Sequence, residues 1–204
     1  MNNDSPQKLI EIFSKFPGIG PRQAKRFVYY LLKQTESHNK NLSFLISMLK
    51  KETGSCTECF RFFNTARENA TCSLCGDENR DNSMLMVVAK DVDLDNIEKT
   101  KSYNGFYFIL GGLVPILEKN PEQKVRINEL LKAIEKRNDL KEIILALSAS
   151  PNGDNTAEYL KRILSPIAEK KGIKISLLGR GISTGLELEY SDSDTLKHAL
   201  TNRE

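Results

Sequence analysis

The stretch MLMVVAKDVDLDNIEK, residues 84–99, decides how this chain is read. An apolar run ends in two valines, and Asp91, Asp93 and Asp95 then follow at alternating positions. A short apolar run bounded by polar residues predicts a buried strand. The carboxylates beyond it have two readings. A strand can deliver them to a divalent metal, or they can cap a helix that starts there. A calcium loop of the EF-hand type does not fit. Counted from Asp91, the position that needs Gly is Asn96 and the position that needs Glu is Ser102. The capping reading places Asp93 or Asp95 at the start of the helix, with Glu98 completing a capping box from Asp95.

Downstream the pattern repeats. FYFIL (106–110), EIILAL (142–147) and IKISLL (173–178) predict strands, and INELLKAIEKR (127–137) and NTAEYLKRILSPIAEKK (155–171) predict helices. Strands alternating with helices imply a mostly parallel sheet with helices on both faces. Ligands of such sheets gather at the carboxyl ends of strands. The later strand ends in LALSASPNGDN (145–155), which offers serines and an asparagine, with Asp154 only farther on. A two-metal site needs several convergent carboxylates, and they are hard to assemble here. The tail, 181–204, carries GISTGLELEY and a short amphipathic helix, SDTLKHAL.

Upstream, residues 54–80 are polar and lack periodicity. CTECFRFFNTARENATCSLC places Cys56, Cys59, Cys72 and Cys75 in a C-x2-C, twelve-residue, C-x2-C pattern. Each pair can grip one side of a tetrahedral ion, the spacing of a structural zinc ribbon or knuckle. Four sulfurs leave no position for water, so such a Zn²⁺ is structural. The segment is too short to bury a core, and metal binding would supply its folding energy.

Residues 6–35 predict two helices around a tight break, with Leu9, Ile10, Phe13 and Phe16 on one face of the first and Ala24, Phe27, Val28, Leu31 and Leu32 on one face of the second. A third helix is expected at about 41–52. FPGIGPRQAKR (16–26) reads as a helix-hairpin-helix. Gly18 and Gly20 let the backbone turn and approach a phosphate closely, and amides at the next helix N-terminus can receive the anion. Arg22, Lys25 and Arg26 on the first turns can neutralise neighbouring phosphates, contacts that position DNA without reading bases. The alternative is a helical hairpin with a solvated basic face.

The 204 residues suffice for one substantial core with small appended modules, and the formal net charge of +3 permits nucleic acid without requiring it. No apolar run approaches a membrane span, and MNNDSPQKLIEIF has no signal-peptide character, so a cytoplasmic location is expected. His38 and His198 lie in polar surroundings and read as surface residues. GRGISTG (179–185) lacks the phosphate-loop pattern G-x4-G-K-[ST], which argues against an ATP site.

Four carriers in this order resemble the bacterial recombination mediator RecR family over nearly the whole chain. They are FPGIGPRQAKRFVYYLL, the four cysteines, MVVAKDVDLDNIEKTKSYNGFYFILGG and GRGISTGLELEYSDSDTLKHAL. The resemblance implies a helix-hairpin-helix domain (1–53), a four-cysteine zinc finger (54–80), a Toprim-like α/β domain (81–180) and a C-terminal segment (181–204). It implies a non-enzymatic DNA-binding protein, sequence-independent on single and double strands. Subunits would form a tetrameric ring or a dimer. They would work with RecO and RecF to load recombinase on single-stranded gaps, in the cytoplasm at the nucleoid. Family DNA contacts fall on hairpin positions that match Arg22, Lys25 and Arg26. The chain departs from the family where a Toprim domain carries a glutamate after its first strand: Ala89 and Lys90 stand there. SASPNGD (148–154) replaces the usual N-P-T-x-E-G-like run. The family also places RecO contact on this acidic face. The rival readings are a metal-dependent nuclease using Asp91, Asp93 and Asp95, and an assembly scaffold whose hairpin, with Phe27, Tyr29, Tyr30 and Leu31, pairs subunits.

Overall fold

The computed structural model describes residues 4–65, 70–179, 182, 185, 187–191 and 193–201, without the side chains of 194 and 198. The chain divides into two compact units, residues 1–53 and 54–204.

The first unit is helical: α1 (Ser5–Phe13), α2 (Pro21–Leu32) and α3 (Glu36–Glu52). Asp4 caps α1 by accepting from the Gln7 amide. Thr35 caps α3 by accepting from the His38 amide at 3.2 Å. The third helix therefore starts several residues before the predicted position 41. Its first turn is polar and carries no apolar period, and only the cap marks it. Phe13 packs edge-on against Phe16 and Phe27. Among the described residues of this unit only Ala24 and Val28 are buried. An apolar groove of about 440 Å³, lined by Leu9, Ile12, Phe16, Leu31, Leu42 and Ile46 among others, runs between the helices.

Next along the chain comes a two-stranded sheet, β1 (Thr53–Ser55, its first residue the last of the helical unit) and β2 (Phe62–Asn64), around the cysteines. The second unit continues as β3 (Asp81–Val88), α4 (Asp91–Thr100), β4 (Gly105–Ile109), α5 (Ile127–Glu135), β5 (Glu142–Ala146), α6 (Pro151–Lys171), β6 (Lys174–Leu177) and α7 (Ser193–Thr201). Four strands pair in the order β4-β3-β5-β6, every pair parallel, with Val88 opposite both Ile109 and Ala146. Alternation along the strands sends Leu85, Val87, Phe106, Phe108, Ile143 and Leu145 to one face, against Leu130 and Ile134 of α5 and Leu160 and Leu164 of α6. Met86, Val88, Tyr107, Ile109 and Ala146 face the other way, against Leu94 and Ile97 of α4. Helices thus cover both faces, as the alternating pattern predicts. All five residues of β4 are buried although it is an edge strand.

That edge is occupied. The Ile109 amide donates to the Cys59 carbonyl at 2.9 Å, and the Ile109 carbonyl accepts from Arg126 Nη1 at 3.0 Å. The Gly105 carbonyl accepts from Arg80 Nη1 at 2.6 Å. The cysteine segment and two arginines therefore satisfy three outer backbone groups of β4, the kind a buried strand rarely leaves unpaired.

The predicted caps of α4 are corrected. Its N-cap is Lys90, and the helix begins at Asp91. Asp93 accepts from the Lys90 amide at 3.0 Å, acting from the third helical position instead of the first. The Asp95 and Glu98 side chains take no part in the N-terminal cap, because each is drawn to an arginine from the preceding segment.

Candidate functional site

The two C-x2-C pairs fold into matching turns. The Phe60 amide donates to the Cys56 carbonyl and the Gly76 amide to the Cys72 carbonyl, both at 3.0 Å. These turns bring the four Sγ atoms within 4.8 Å of one another. Cys59 and Cys72 sulfurs lie 3.6 Å apart. A tetrahedron with metal–sulfur bonds of about 2.3 Å has edges of about 3.8 Å, so the set fits one ion. Three of the four cysteines are buried and Cys75 is partly exposed. The Cys72 amide donates to Cys56 Sγ at 3.4 Å, the kind of bond that favours a thiolate.

Mutual hydrogen bonds split the thiols. Cys56 is held well down, chiefly by Cys59, while Cys59 and Cys75 are pushed up, chiefly by Cys56. For Cys72 the bond to Cys56 acts upward, but the bonds to Cys59 and Cys75 outweigh it and leave the thiol at about 6. Four sulfurs this close could all be anionic only with a cation between them, and the donor set is all sulfur, which suits a soft or borderline metal. The centre can therefore hold a metal ion.

Phe60, directly after Cys59, sits in the left-handed region at φ 64°. That conformation costs a bulky residue about 1–2 kcal/mol. Tertiary contacts offset it: the Phe60 ring meets Phe108 edge-on at 5.4 Å, and the Arg126 guanidinium covers it at 5.1 Å.

The aspartates of the opening stretch are brought to three different partners. Asp91 Oδ1 accepts from the Phe62 amide at 2.8 Å. Asp95 Oδ1 accepts from Arg61 Nη2 at 2.9 Å. Asp93 closes on Lys90. Two of the three thus clasp the cysteine segment to α4, and they do not converge on a common point. Ala89, at the end of the strand, is buried, and its carbonyl accepts from the Gly111 amide. Among the described residues the four cysteines are the group of three or more His, Cys, Asp or Glu side chains placed to share an ion. Sequence spacing misses the clasp because its other half, Arg61 and the Phe62 amide, lies about 30 positions upstream. No local pattern announces it. Arg80 escapes in the same way. It is buried, with Nη2 on both Glu98 oxygens at 2.7 and 2.6 Å and its guanidinium 5.5 Å from the Tyr107 ring.

In the helical unit, Gly18 has φ 75°, whereas Gly20 is extended (φ −82°, ψ 168°) and serves as N-cap of α2 ahead of Pro21. Only Gly18 is demanded by the turn. A Cβ on either would meet open space. Gly18→Ala is therefore expected to destabilise this unit by about 1 kcal/mol, and Gly20→Ala to stay within about 0.5 kcal/mol. Denaturation followed by circular dichroism checks this, and equal losses would show that the turn needs both. Among the described residues the Gly20 and Arg22 amides have no hydrogen-bond partner. Arg22, Lys25 and Arg26 are all exposed. Residues 1–53 hold nine Lys and Arg against four Asp and Glu, a net +5, and the remaining 21 against 23 give −2. The mild overall balance hides this asymmetry.

His38 is exposed, as expected, and meets Tyr30 edge-on at 6.3 Å. The His198 side chain and most of GRGISTG (180, 181, 183 and 184) lie outside the described residues.

Comparison with known proteins agrees with these parts. Residues 7–48 match the family model described as RecR, helix-hairpin-helix, residues 83–179 match the Toprim domain, and residues 181–204 match RecR, C-terminal. The Recombination protein RecR of Oenococcus oeni is 35% identical over 196 residues, 96% of this chain and 94% of its own. That of Lactobacillus johnsonii is 33% identical over 196 residues with the same coverage. That of Bifidobacterium longum subsp. infantis is 35% identical over 197 residues, 97% of this chain and 94% of its own. A helical hairpin, a four-cysteine centre and a parallel Toprim sheet, in this order and matched along almost the full length, place the chain in the RecR family.

Proposed function

We propose that this chain is a DNA-binding mediator of recombinational repair with no catalysis of its own. In this reading it binds single- and double-stranded DNA without regard to sequence. It acts with RecO-like and RecF-like proteins to load recombinase at single-stranded gaps, as a dimer or tetrameric ring at the cytoplasmic nucleoid. Its relatives carry the name recombination protein. The observation that carries the reading is the exposed cationic face at the start of α2, beside unpartnered amides, in a unit of net +5. Gly18, Gly20, Arg22, Lys25 and Arg26 would form the contact, receiving phosphates by charge and by the helix N-terminus.

The parts divide the labour as 1–53 for DNA, 54–80 for the metal, 81–180 for the Toprim-like sheet and 181–204 for the C-terminal segment. Cys56, Cys59, Cys72 and Cys75 would hold one Zn²⁺. Bound there, the ion supplies folding energy and no reaction, since four sulfurs close its coordination sphere. The dispersal of Asp91, Asp93 and Asp95 to separate partners favours this reading over the nuclease.

Fluorescence anisotropy on oligonucleotides across a salt series tests it. Arg22→Ala/Lys25→Ala/Arg26→Ala should lower the salt slope by about 2 on single strands and about 3 on duplex. At 0.1 M salt that is roughly 10²-fold in affinity. An unchanged slope would remove the hairpin from DNA contact.

A further inference from the structure

The cationic face of α2 is not made of cations alone. At 3.6 residues per turn, Arg22, Lys25, Arg26, Tyr29 and Lys33 fall within an arc of about 100°, opposite the buried Ala24 and Val28. Tyr29 sits at the middle of that arc and is 51% exposed. The ammonium of Lys25 lies 5.7 Å from its ring. α2 contains no acidic residue, and among the described residues none of the four cations pairs with a carboxylate. An aromatic ring that served only to fill the core would turn toward Val28. This one is exposed among cations that no carboxylate neutralises, Arg26 donating only to Gln23 Oε1 at 3.4 Å.

We propose that Tyr29 is a stacking platform for an unpaired nucleobase, so that this face prefers single-stranded to duplex DNA. The inference rests on the DNA-binding reading above and adds the form of DNA and the residue that recognises it. A strand whose phosphates run along Arg22, Lys25, Arg26 and Lys33 can turn a base onto the ring between them. In a duplex the bases are already stacked on one another and cannot reach it. Base–aromatic stacking tolerates any sequence, because every base presents a π-face. The cations steer and hold the backbone, and the ring supplies a contact that salt does not screen.

The test compares the full-length native protein with Tyr29→Ala and Tyr29→Phe on three probes: a dT oligonucleotide, the same length carrying abasic sites, and a duplex. The expected result is a roughly tenfold loss of affinity for the dT strand in Tyr29→Ala, with the salt slope kept, and near-native binding by Tyr29→Phe. Duplex binding should be unaffected by either change, and native affinity should fall on the abasic strand. Equal binding of the dT strand by native protein and Tyr29→Ala would overturn the proposal. So would a parallel loss on duplex, or a changed oligomer mass by light scattering with DNA binding intact, which would assign the ring to contacts between copies. Failure of the DNA-binding reading itself would look different, since the native protein would then bind none of the three probes in a salt-dependent way.

Discussion

Stripping the metal, or making Cys72→Ser, is expected to unfold the cysteine segment and to lower the melting temperature of the whole second unit. Structural zinc contributes about 10–16 kcal/mol in small zinc modules. Here the segment has little else to fold on. Its core is the cysteines with Phe63 and Leu74, and its sheet is two strands of three residues. The loss should spread because the segment is tied to its neighbours by the bond from Ile109 to Cys59, by the Asp91 and Asp95 clasps and by the ring contact of Phe60 with Phe108. Metal content by mass spectrometry, release into a chromogenic chelator and a thermal melt before and after chelation form the measurement. One equivalent of zinc per chain and a melt shifted down by many degrees are expected. A chelated protein with an unchanged melt would show that the four thiols fold without an ion.

The second large effect concerns Arg80. Burial opposes its charge, yet the hydrogen bonds and charge of Glu98 outweigh that cost and hold the guanidinium above its ordinary value. Burial likewise pushes the neighbouring Tyr103 and Tyr107 hydroxyls up, so neither ionises near neutral pH. Arg80→Ala removes the partner of Glu98 and leaves the Gly105 carbonyl without its donor. Breaking one side of a buried pair costs about 3–5 kcal/mol, which corresponds to a melting temperature lower by about 10 °C for a domain of this size. Replacing both partners with apolar residues, Arg80→Met with Glu98→Leu, should recover much of the loss, since no charge is left stranded. A single variant that melts with the native protein would mean the pair is solvated in practice.

How much of this is legible in the sequence depends on the range of the signal. The strands read well because burial on both faces leaves an uninterrupted apolar run, as in Leu85 to Val88 and Phe106 to Ile109. The four-cysteine centre is legible because metal geometry imposes a local spacing. The start of α3 is not, because only Thr35 marks it. The aspartates are ambiguous for a deeper reason: their partners lie far away in sequence and are chosen by the docking of one segment on another. The cap at Lys90 escapes notice because its side chain has no acceptor and the bond there runs from its amide to Asp93. The hairpin glycines read as a pair, but backbone angles separate the one that makes the turn from the one that leaves room.

The occupied edge of β4 bears on how a newly made chain is judged. GFYFI is an apolar strand with three outer groups met from outside the sheet: the Ile109 amide by Cys59, the Ile109 carbonyl by Arg126 and the Gly105 carbonyl by Arg80. The Cys59 carbonyl comes from the four-thiol segment, whose folding energy a bound ion is expected to supply. A molecule that has not yet captured its ion would display a sticky, half-paired ribbon of the kind that recruits chaperones, proteases or another copy of itself. Ion capture would then work as a proofreading step in biogenesis. Scarcity of the metal would then appear first as vanishing soluble protein.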